Sequence, residues 1–177
     1  MARIQIFPVG GVDNSILEFL ALSLSENLKL SCEVADTAIS LAGAYDVVRT
    51  QYYSTRLLER LLEHRSDDTT KLLGVADVDL FIPPLSFVFG EAQFDNPASL
   101  ISLHRLRQQF YGLPEDLALL YSRAEKEAVH ELGHSFGLIH CRDYRCVMFL
   151  SYSVEDIDLK SSTFCARCRA LVGGKLG

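Results

Sequence analysis

Apolar residues recur along the first two thirds of the chain with two different spacings, which predicts a sheet interleaved with helices. Five short apolar runs are typical of β-strands, and two longer runs place an apolar residue at every third or fourth position, as one face of a helix requires. The predicted strands are 3–9, 31–35, 72–82, 85–90 and 99–106, and the predicted helices are 15–28, capped by Asn14, and 52–64. Because strands and helices alternate, the pattern favours an α/β fold.

A third helical pattern begins near Pro114, a residue suited to the first turn of a helix, and continues without a break to Gly137. Beyond it, residues 138–177 show little periodic pattern, so we expect a loop-rich C-terminal part. The chain has no internal repeat, low-complexity stretch or linker. A length of 177 residues therefore predicts one domain, with a sheet-and-helix subdomain over 1–137 and a C-terminal subdomain over 138–177.

The predicted strand 85–90 follows two consecutive prolines, Pro83 and Pro84. Proline cannot donate to the hydrogen-bond ladder of a sheet, so this position favours a strand at the sheet edge.

The charge balance excludes two classes of partner. Lys and Arg number 17 against 23 Asp and Glu, which gives a net charge of −6. An acidic chain is unsuited to non-specific binding of nucleic acid or of an anionic membrane, and no apolar run is long enough to span a bilayer. The N-terminus, with Pro8 and two glycines close behind it, lacks a secretory signal, so we expect a cytoplasmic protein with reduced cysteines.

The segment from His130 to His140 carries the strongest chemical signal in the sequence, HELGHSFGLIH. On a helix His130 and His134 lie one turn apart on the same face, where both can bind one Zn²⁺. Glu131 lies beside them, free to act on a zinc-bound water. Gly137 can end the helix and turn the chain, so that His140 returns as the third ligand. Three histidines leave the fourth position open, as in a catalytic zinc site.

Four of the five cysteines follow this segment as two short-spaced pairs, Cys141 with Cys146 and Cys165 with Cys168. Such pairs suit a tetrahedral structural zinc site that closes the loop between them. Two disulfides are the alternative, although a reducing compartment does not favour them. Because Cys141 directly follows His140, we expect the two metal sites to be coupled. The fifth cysteine, Cys32, stands alone and is interpreted as a core thiol.

The histidine segment, the methionine at position 148 and the cysteine spacing together resemble the metzincin clan of zinc peptidases, and specifically the archaemetzincin family. The resemblance extends upstream to the segments GVADVDL (74–80), LSFVFGEA (85–92) and RLRQQFYG (105–112). It is close over residues 70–170 and general before them. The resemblance implies a compact metzincin-like fold: a twisted, mixed five-stranded sheet with an antiparallel edge strand, a backing helix, an active-site helix and a zinc-clipped C-terminal part.

The same resemblance assigns roles to individual residues. His130, His134 and His140 would bind the catalytic zinc, Glu131 would be the general base, and the four cysteines would bind a second, structural zinc. Met148 would form the methionine turn beneath the catalytic zinc. The edge strand, with Phe87, Val88, Phe89 and Gly90, would receive an extended substrate. Tyr152 follows the methionine at a distance that leaves its role open.

The sequence thus predicts a zinc metallopeptidase with two Zn²⁺ per chain and a peptide or protein substrate. In this mechanism Glu131 takes a proton from the zinc-bound water and later delivers it to the leaving amine. The alternative is a non-proteolytic zinc protein that binds peptides or partner chains in the same cleft. Glu131 discriminates between the two, because a binding protein has no use for a carboxylate beside an open zinc position. The sequence carries no signal for an oligomeric state.

Overall fold

A computed structural model describes residues 2–68 and 70–176. The elements in chain order are β1 (Arg3–Val9), α1 (Asn14–Leu28), β2 (Ser31–Val34), β3 (Tyr45–Asp46), β4 (Gln51–Tyr53), α2 (Ser54–Leu62), β5 (Thr70–Ala76), β6 (Leu80–Phe81), β7 (Gly90–Ala92), β8 (Ala98–Ser102), α3 (Leu117–Ser135), α4 (Val154–Leu159) and α5 (Ala166–Leu176). A five-stranded sheet has the order β2-β1-β5-β8-β7. Its first four strands run parallel and β7 pairs antiparallel with β8. The predicted mixed sheet with an antiparallel edge strand is therefore confirmed.

The central strands are buried because helices cover both faces of the sheet. Along β5 the side chains alternate between the two faces. Leu73 and Val75 belong to a large core with α1 and α3, whereas Leu72 and Ala76 belong to a smaller core with α2. The large core reaches the cleft side of the sheet and so supports the elements that carry the histidines.

Two helices begin at other residues than predicted, because an aspartate caps each of them. Asp13 accepts a hydrogen bond from the Ser15 amide at 2.8 Å, so Asn14 is the first residue of α1 and not its cap. Asp116 caps α3 in the same way. The prediction that Pro114 lies in the first helical turn is wrong, since α3 begins at Leu117.

Two predicted elements are split in the structure. The predicted helix 52–64 begins as strand β4 and becomes helical only at Ser54. The predicted strand 72–82 divides into β5 and β6, because Asp77 and Asp79 turn their carboxylates to arginines and not into the core. As a result β3, β4 and β6 form a second, three-stranded sheet that the pattern did not predict.

The predicted edge strand 85–90 is wrong in its bounds, because the ladder with β8 begins only at Gly90. The Leu85 amide instead closes a turn onto the carbonyl of Ile82 at 2.8 Å. Val88 makes a single bridge, with Leu80 of the small sheet. Likewise the predicted strand 99–106 ends at Ser102, and a 3₁₀ turn follows over His104–Leu106.

The expectation of a loop-rich C-terminal part is wrong in so far as two helices, α4 and α5, occupy it. Ser153 and Asp156 form a capping box that starts α4. A few apolar residues are enough to anchor these two helices. Ile157 and Val172 are completely buried in the large core together with Leu132 of α3. The division into subdomains at residue 137 stays a prediction. Among the helices of the described residues, none combines the length and apolarity needed to cross a membrane.

Candidate metal centre and cleft

The last turns of α3 bring two histidines together on one face. The Nε2 atoms of His130 and His134 lie 3.2 Å apart. Tetrahedral ligands around Zn²⁺ at about 2.0–2.1 Å would be separated by about 3.4 Å. The spacing of the two nitrogens therefore fits ligands of one zinc ion.

A sharp turn after α3 returns the chain to these histidines. Gly137 has a φ of +90°, which a residue without a side chain adopts readily. The amides of Gly137 and Leu138 donate to the carbonyls of His134 and Gly133, each at 2.9 Å. The turn places His140 so that ligand nitrogens of all three histidines lie within 4.8 Å of one another.

Backbone carbonyls fix the orientation of both helical histidines. Nδ1 of His130 lies 2.7 Å from the carbonyl oxygen of Val147, and Nδ1 of His134 lies 2.7 Å from that of Leu138. A carbonyl can only accept, so each Nδ1 carries the proton and each Nε2 keeps a lone pair for a metal. Burial lowers the pKa of all three histidines, that of His130 most strongly, which favours the neutral form that binds metal.

Met148 packs directly beneath α3, and a glycine of the helix makes this close approach feasible. The methionine is fully buried. A Cβ built at Gly133 would collide with the sulfur of Met148 and lie 3.1 Å from the ring of Phe164. The glycine inside the motif therefore lets an apolar floor approach the helix between its two histidines.

A cleft of about 580 Å³ lies in front of the histidines. Its walls are formed by the segment before and including β7, by α3, and by the chain after Met148; the lining residues are Ile82, Leu85–Ala92, Glu127, His130, Glu131, His134, His140, Leu150, Ser151, Tyr152 and Lys160. Phe87, Val88, Phe89 and Gly90 are thus all brought to the cleft. Tyr152 lines it as well, but 78% of its surface is exposed.

Glu131 lies on the cleft side of α3 against the edge strand. A Cβ added at Gly90 would lie 2.8 Å from its Oε1 atom and 2.7 Å from the carbonyl oxygen of Leu100. Burial raises the pKa of Glu131 well above that of an ordinary carboxyl group, and the neighbouring Glu127 raises it further. A carboxylate with a raised pKa is a better proton acceptor.

A buried ion pair next to Glu131 was not predicted from the sequence. The Lys160 side chain is completely buried, and its Nζ lies 3.1 Å from Oε1 of Glu127, whose side chain is 4% exposed. The lysine also donates to the carbonyl of Phe149 at 3.4 Å. Its charge offsets two carboxylates in the wall, Glu127 and Glu131, which lie one helical turn apart. The four-residue spacing of the two glutamates could have shown that they share a face, whereas nothing in the sequence pairs either with Lys160.

The four cysteines form a compact cluster of free thiols. The Sγ atoms of Cys141 and Cys165 lie 3.8 Å apart, and all four sulfurs lie within 4.8 Å of one another. Ligands at the zinc–sulfur distance of about 2.3 Å in a tetrahedron would be separated by about 3.8 Å. The amide of Cys168 lowers the pKa of the Cys165 thiol to about 7, whereas burial raises the pKa of the Cys146 and Cys168 thiols. Of these three, Cys165 is therefore the one that most readily forms a thiolate.

The cysteine cluster and the histidine site share one loop. Cys141 directly follows His140, and its amide donates to the carbonyl of Met148 at 2.9 Å. The Val147 amide donates to Thr163 at 3.1 Å, while the Val147 carbonyl accepts the His130 proton. The loop therefore contacts the histidine site at both His130 and His140.

The remaining histidines and the remaining cysteine lie away from both clusters. The ring of His64 packs at 5.4 Å from that of Phe7, and the ring of His104 packs at 5.3 Å from that of Phe110. Cys32 lies on β2, and burial raises the pKa of its thiol to about 11. These positions agree with structural roles.

A comparison with known sequences finds relatives over almost the whole chain. A family model described as peptidase family M54 matches residues 24–173. The archaemetzincin of Methanocaldococcus jannaschii is 45% identical over 166 residues, which cover 94% of this chain and 90% of that protein. The archaemetzincin of Pyrococcus furiosus is 40% identical, with 98% of this chain and 94% of that protein covered.

Solved structures show the same architecture. The crystal structure of archaemetzincin from Methanopyrus kandleri superposes with a TM-score of 0.83 at 34% identity, covering 99% of this chain and 95% of that one. The archaemetzincin of Archaeoglobus fulgidus, crystallised with malonate, gives 0.82 at 34% identity, with 96% and 99% covered. A zinc-dependent peptidase from Methanocorpusculum labreanum gives 0.86 at 29% identity, with 96% and 99% covered. The likeness includes the first 70 residues, where the resemblance seen in the sequence is only general.

Proposed function

The chain belongs to peptidase family M54, the archaemetzincins, and is a zinc metallopeptidase; on this premise we propose that it hydrolyses peptide bonds with Glu131 as the general base. The observation that carries the proposal is the approach of three neutral histidines to one another beside a buried carboxylate that lines a cleft. A site that only held metal would not need that carboxylate.

Each residue of the site has a separate role in the proposed hydrolysis. His130, His134 and His140 would hold the zinc, and the carbonyls of Val147 and Leu138 keep two of these rings in the ligating orientation. When bound, zinc polarises the scissile carbonyl and makes a water molecule more acidic. Glu131 accepts a proton from that water and passes it to the leaving nitrogen. Glu131 is 6% exposed and has the charged groups Glu127, Lys160 and Glu91 near it, so its contact with bulk water is restricted.

The substrate is proposed to lie extended along the edge of the sheet. β7 is one of the two outer strands of the five-stranded sheet, and an outer strand offers backbone donors and acceptors to an added peptide. Gly90 begins the regular strand, while Phe87, Val88 and Phe89 precede it as an irregular wall. In the predicted substrate-binding segment, Gly90 is therefore proposed to pair with the peptide backbone. Phe87, Val88 and Phe89 are proposed to contact its side chains.

Two zinc ions with different roles are part of the proposal. Three histidines leave an open position, which suits catalysis, whereas four cysteines close the coordination shell and suit a structural ion. Met148 is proposed as the apolar floor of the catalytic ion, supported by its contact with Gly133 between the two helical histidines.

The test of the proposed function is a digest of a peptide library by protein loaded with two zinc equivalents. We expect cleavage products that disappear after treatment with a chelator and return when zinc is restored. Protein with full zinc content that binds library peptides without cleaving them would favour the non-proteolytic alternative and refute the proposal.

The close approach of β7 to Glu131 gives a second prediction. In Gly90→Ala the new methyl group must displace either the Glu131 carboxylate or the β7–β8 pairing. Misplacement of a catalytic group by about 1 Å can cost on the order of 100-fold in rate, so we expect kcat to fall by about tenfold or more. Peptide turnover at saturating substrate measures this.

Gly11→Ala is the matched control, because a Cβ at Gly11 meets no atom within 4 Å. Equal turnover in both variants would show that the contact of Gly90 with Glu131 has no catalytic importance.

A further inference from the structure

Two of the segments that resemble the archaemetzincins, residues 74–80 and 105–112, are joined by ion pairs. Neither segment has a part in the proposed mechanism. Arg107 forms an ion pair with Asp77 and Arg105 forms one with Asp79, each with a shortest distance of 2.6 Å. Both pairs are about equally exposed, at 17–26%. They join the loop after β5 to the 3₁₀ turns after β8. Their surroundings differ, because only Arg105 reaches the cleft wall.

The guanidinium of Arg105 lies between its carboxylate partner and an aromatic ring of the cleft. Nε and Nη2 donate to the two carboxylate oxygens of Asp79 at 2.6 and 2.8 Å. The guanidinium carbon lies 4.1 Å from the ring centroid of Phe87 and 4.8 Å from that of Phe110. A bidentate pair fixes the plane of the guanidinium, and that plane in turn supports Phe87 by a cation–π contact.

We call residues 85–89 the cleft wall. The small sheet and the loop that precedes β4 hold this segment by hydrogen bonds to its backbone. Gln51 of β4 donates through Nε2 to the carbonyl of Ser86 at 2.9 Å and to Asp79 at 3.0 Å. Arg49 donates to the carbonyl of Leu85, and the Val88 amide donates to Leu80 at 3.0 Å.

These contacts converge on a segment that has almost no ladder of its own. Backbone hydrogen bonds hold it at residues 85, 88 and 89, whereas the positions of Ser86 and Phe87 depend on the side chains of Gln51 and Arg105. Asp79 is the common element, because it binds both Arg105 and Gln51. Loss of the guanidinium would remove this support from Phe87, whose ring would keep its contact with Phe89. It would also leave Gln51 as the remaining side-chain donor to Asp79 among the described residues.

We propose that Arg105 is a positioning residue for substrate binding, which acts by holding the cleft wall against the path of the extended peptide. This inference rests on the proposed function, since it assigns the wall to the substrate. Arg105 touches neither the histidines nor Glu131, so its loss should affect binding of a peptide more than the chemical step.

The first measurement, hydrogen–deuterium exchange, does not depend on peptidase activity. We expect Arg105→Leu to increase hydrogen–deuterium exchange at the Val88 amide by about tenfold or more. Arg107→Leu, which removes the equivalent pair with Asp77 outside the cleft, should leave that amide protected. Arg105→Lys keeps the charge beside Asp79 but cannot form the planar bidentate pair, and is expected to give an intermediate rate; it also serves if the leucine variant fails to fold.

The second measurement separates binding from chemistry. With a peptide identified in the library digest, Arg105→Leu should raise KM about tenfold and leave kcat within twofold, while Arg107→Leu should change neither. Binding of acetohydroxamate, a small chelating probe that has no peptide chain to extend along the wall, should be equal in all zinc-loaded variants.

Several results would overturn the inference. These are unchanged exchange at Val88 in Arg105→Leu, equal effects of Arg105→Leu and Arg107→Leu, or a loss that falls on kcat or on acetohydroxamate binding. Failure of the proposed function looks different: the zinc-loaded wild type would cleave no library peptide, while exchange at Val88 still separated the two arginine variants.

Discussion

Replacement of Glu131 by glutamine is expected to abolish peptide hydrolysis while both zinc ions remain bound. Glutamine has nearly the same shape but cannot accept a proton at neutral pH. General-base catalysis contributes about 10²–10⁴ in rate, so we expect turnover to fall by about 10³-fold. Stability should not decrease, because burial and the nearby Glu127 disfavour the charged form of Glu131.

Zinc content and turnover on the same preparations measure this effect. Glu125→Gln is the matched control, since Glu125 lies on the same helix outside the set of residues that line the cleft. Turnover in Glu131→Gln within tenfold of wild type, with zinc bound, would show that another group takes the proton.

Replacement of Cys165 by alanine is expected to damage both metal sites. One of the four sulfur ligands is lost, so zinc should fall from two ions per chain to one or fewer. Structural zinc contributes folding free energy directly. A loss of about 4 kcal/mol would lower Tm by roughly 10 °C in a chain of this size.

The second effect of Cys165→Ala is at the histidine site. The cluster holds the loop whose Val147 carbonyl orients His130 and whose first residue follows His140. Loss of such an outer contact typically weakens metal binding 10–100-fold. We therefore expect zinc affinity at the histidines, measured by competition with a chelator, to fall at least about tenfold.

Cys32→Ala is the control for this variant, because Cys32 is a partly buried thiol outside the cluster. It should keep two zinc ions and nearly the wild-type affinity. Wild-type affinity at the histidines in folded Cys165→Ala would refute the coupling of the two sites.

The histidine and cysteine clusters could be predicted because their ligands are close in sequence and their spacing is dictated by local geometry. His130 and His134 are one helical turn apart, and Gly137 supplies the turn that returns His140. Helix period and a positive φ are local properties, so the sequence contains them directly.

What the sequence did not predict depends on contacts between distant segments. Lys160 meets Glu127 across 33 residues only because α4 packs against α3. The sequence does not predict the small sheet, because β3, β4 and β6 have two or three residues each. Such short strands do not show the alternation of apolar and polar residues that is typical of a strand. The start of β7 was misplaced for a similar reason: the pattern LSFVF suits a strand, but Gln51 and Arg105 hold it in another conformation.

The position of the histidine helix along the chain has a consequence for synthesis. Its supports come from residues made later: Val147 orients His130, Met148 forms the floor, and Lys160 neutralises Glu127. A growing polypeptide therefore exposes the HExxH helix before it can complete the site. The histidine site can therefore be complete only after the chain has been synthesised through residue 160 and has folded back onto this helix.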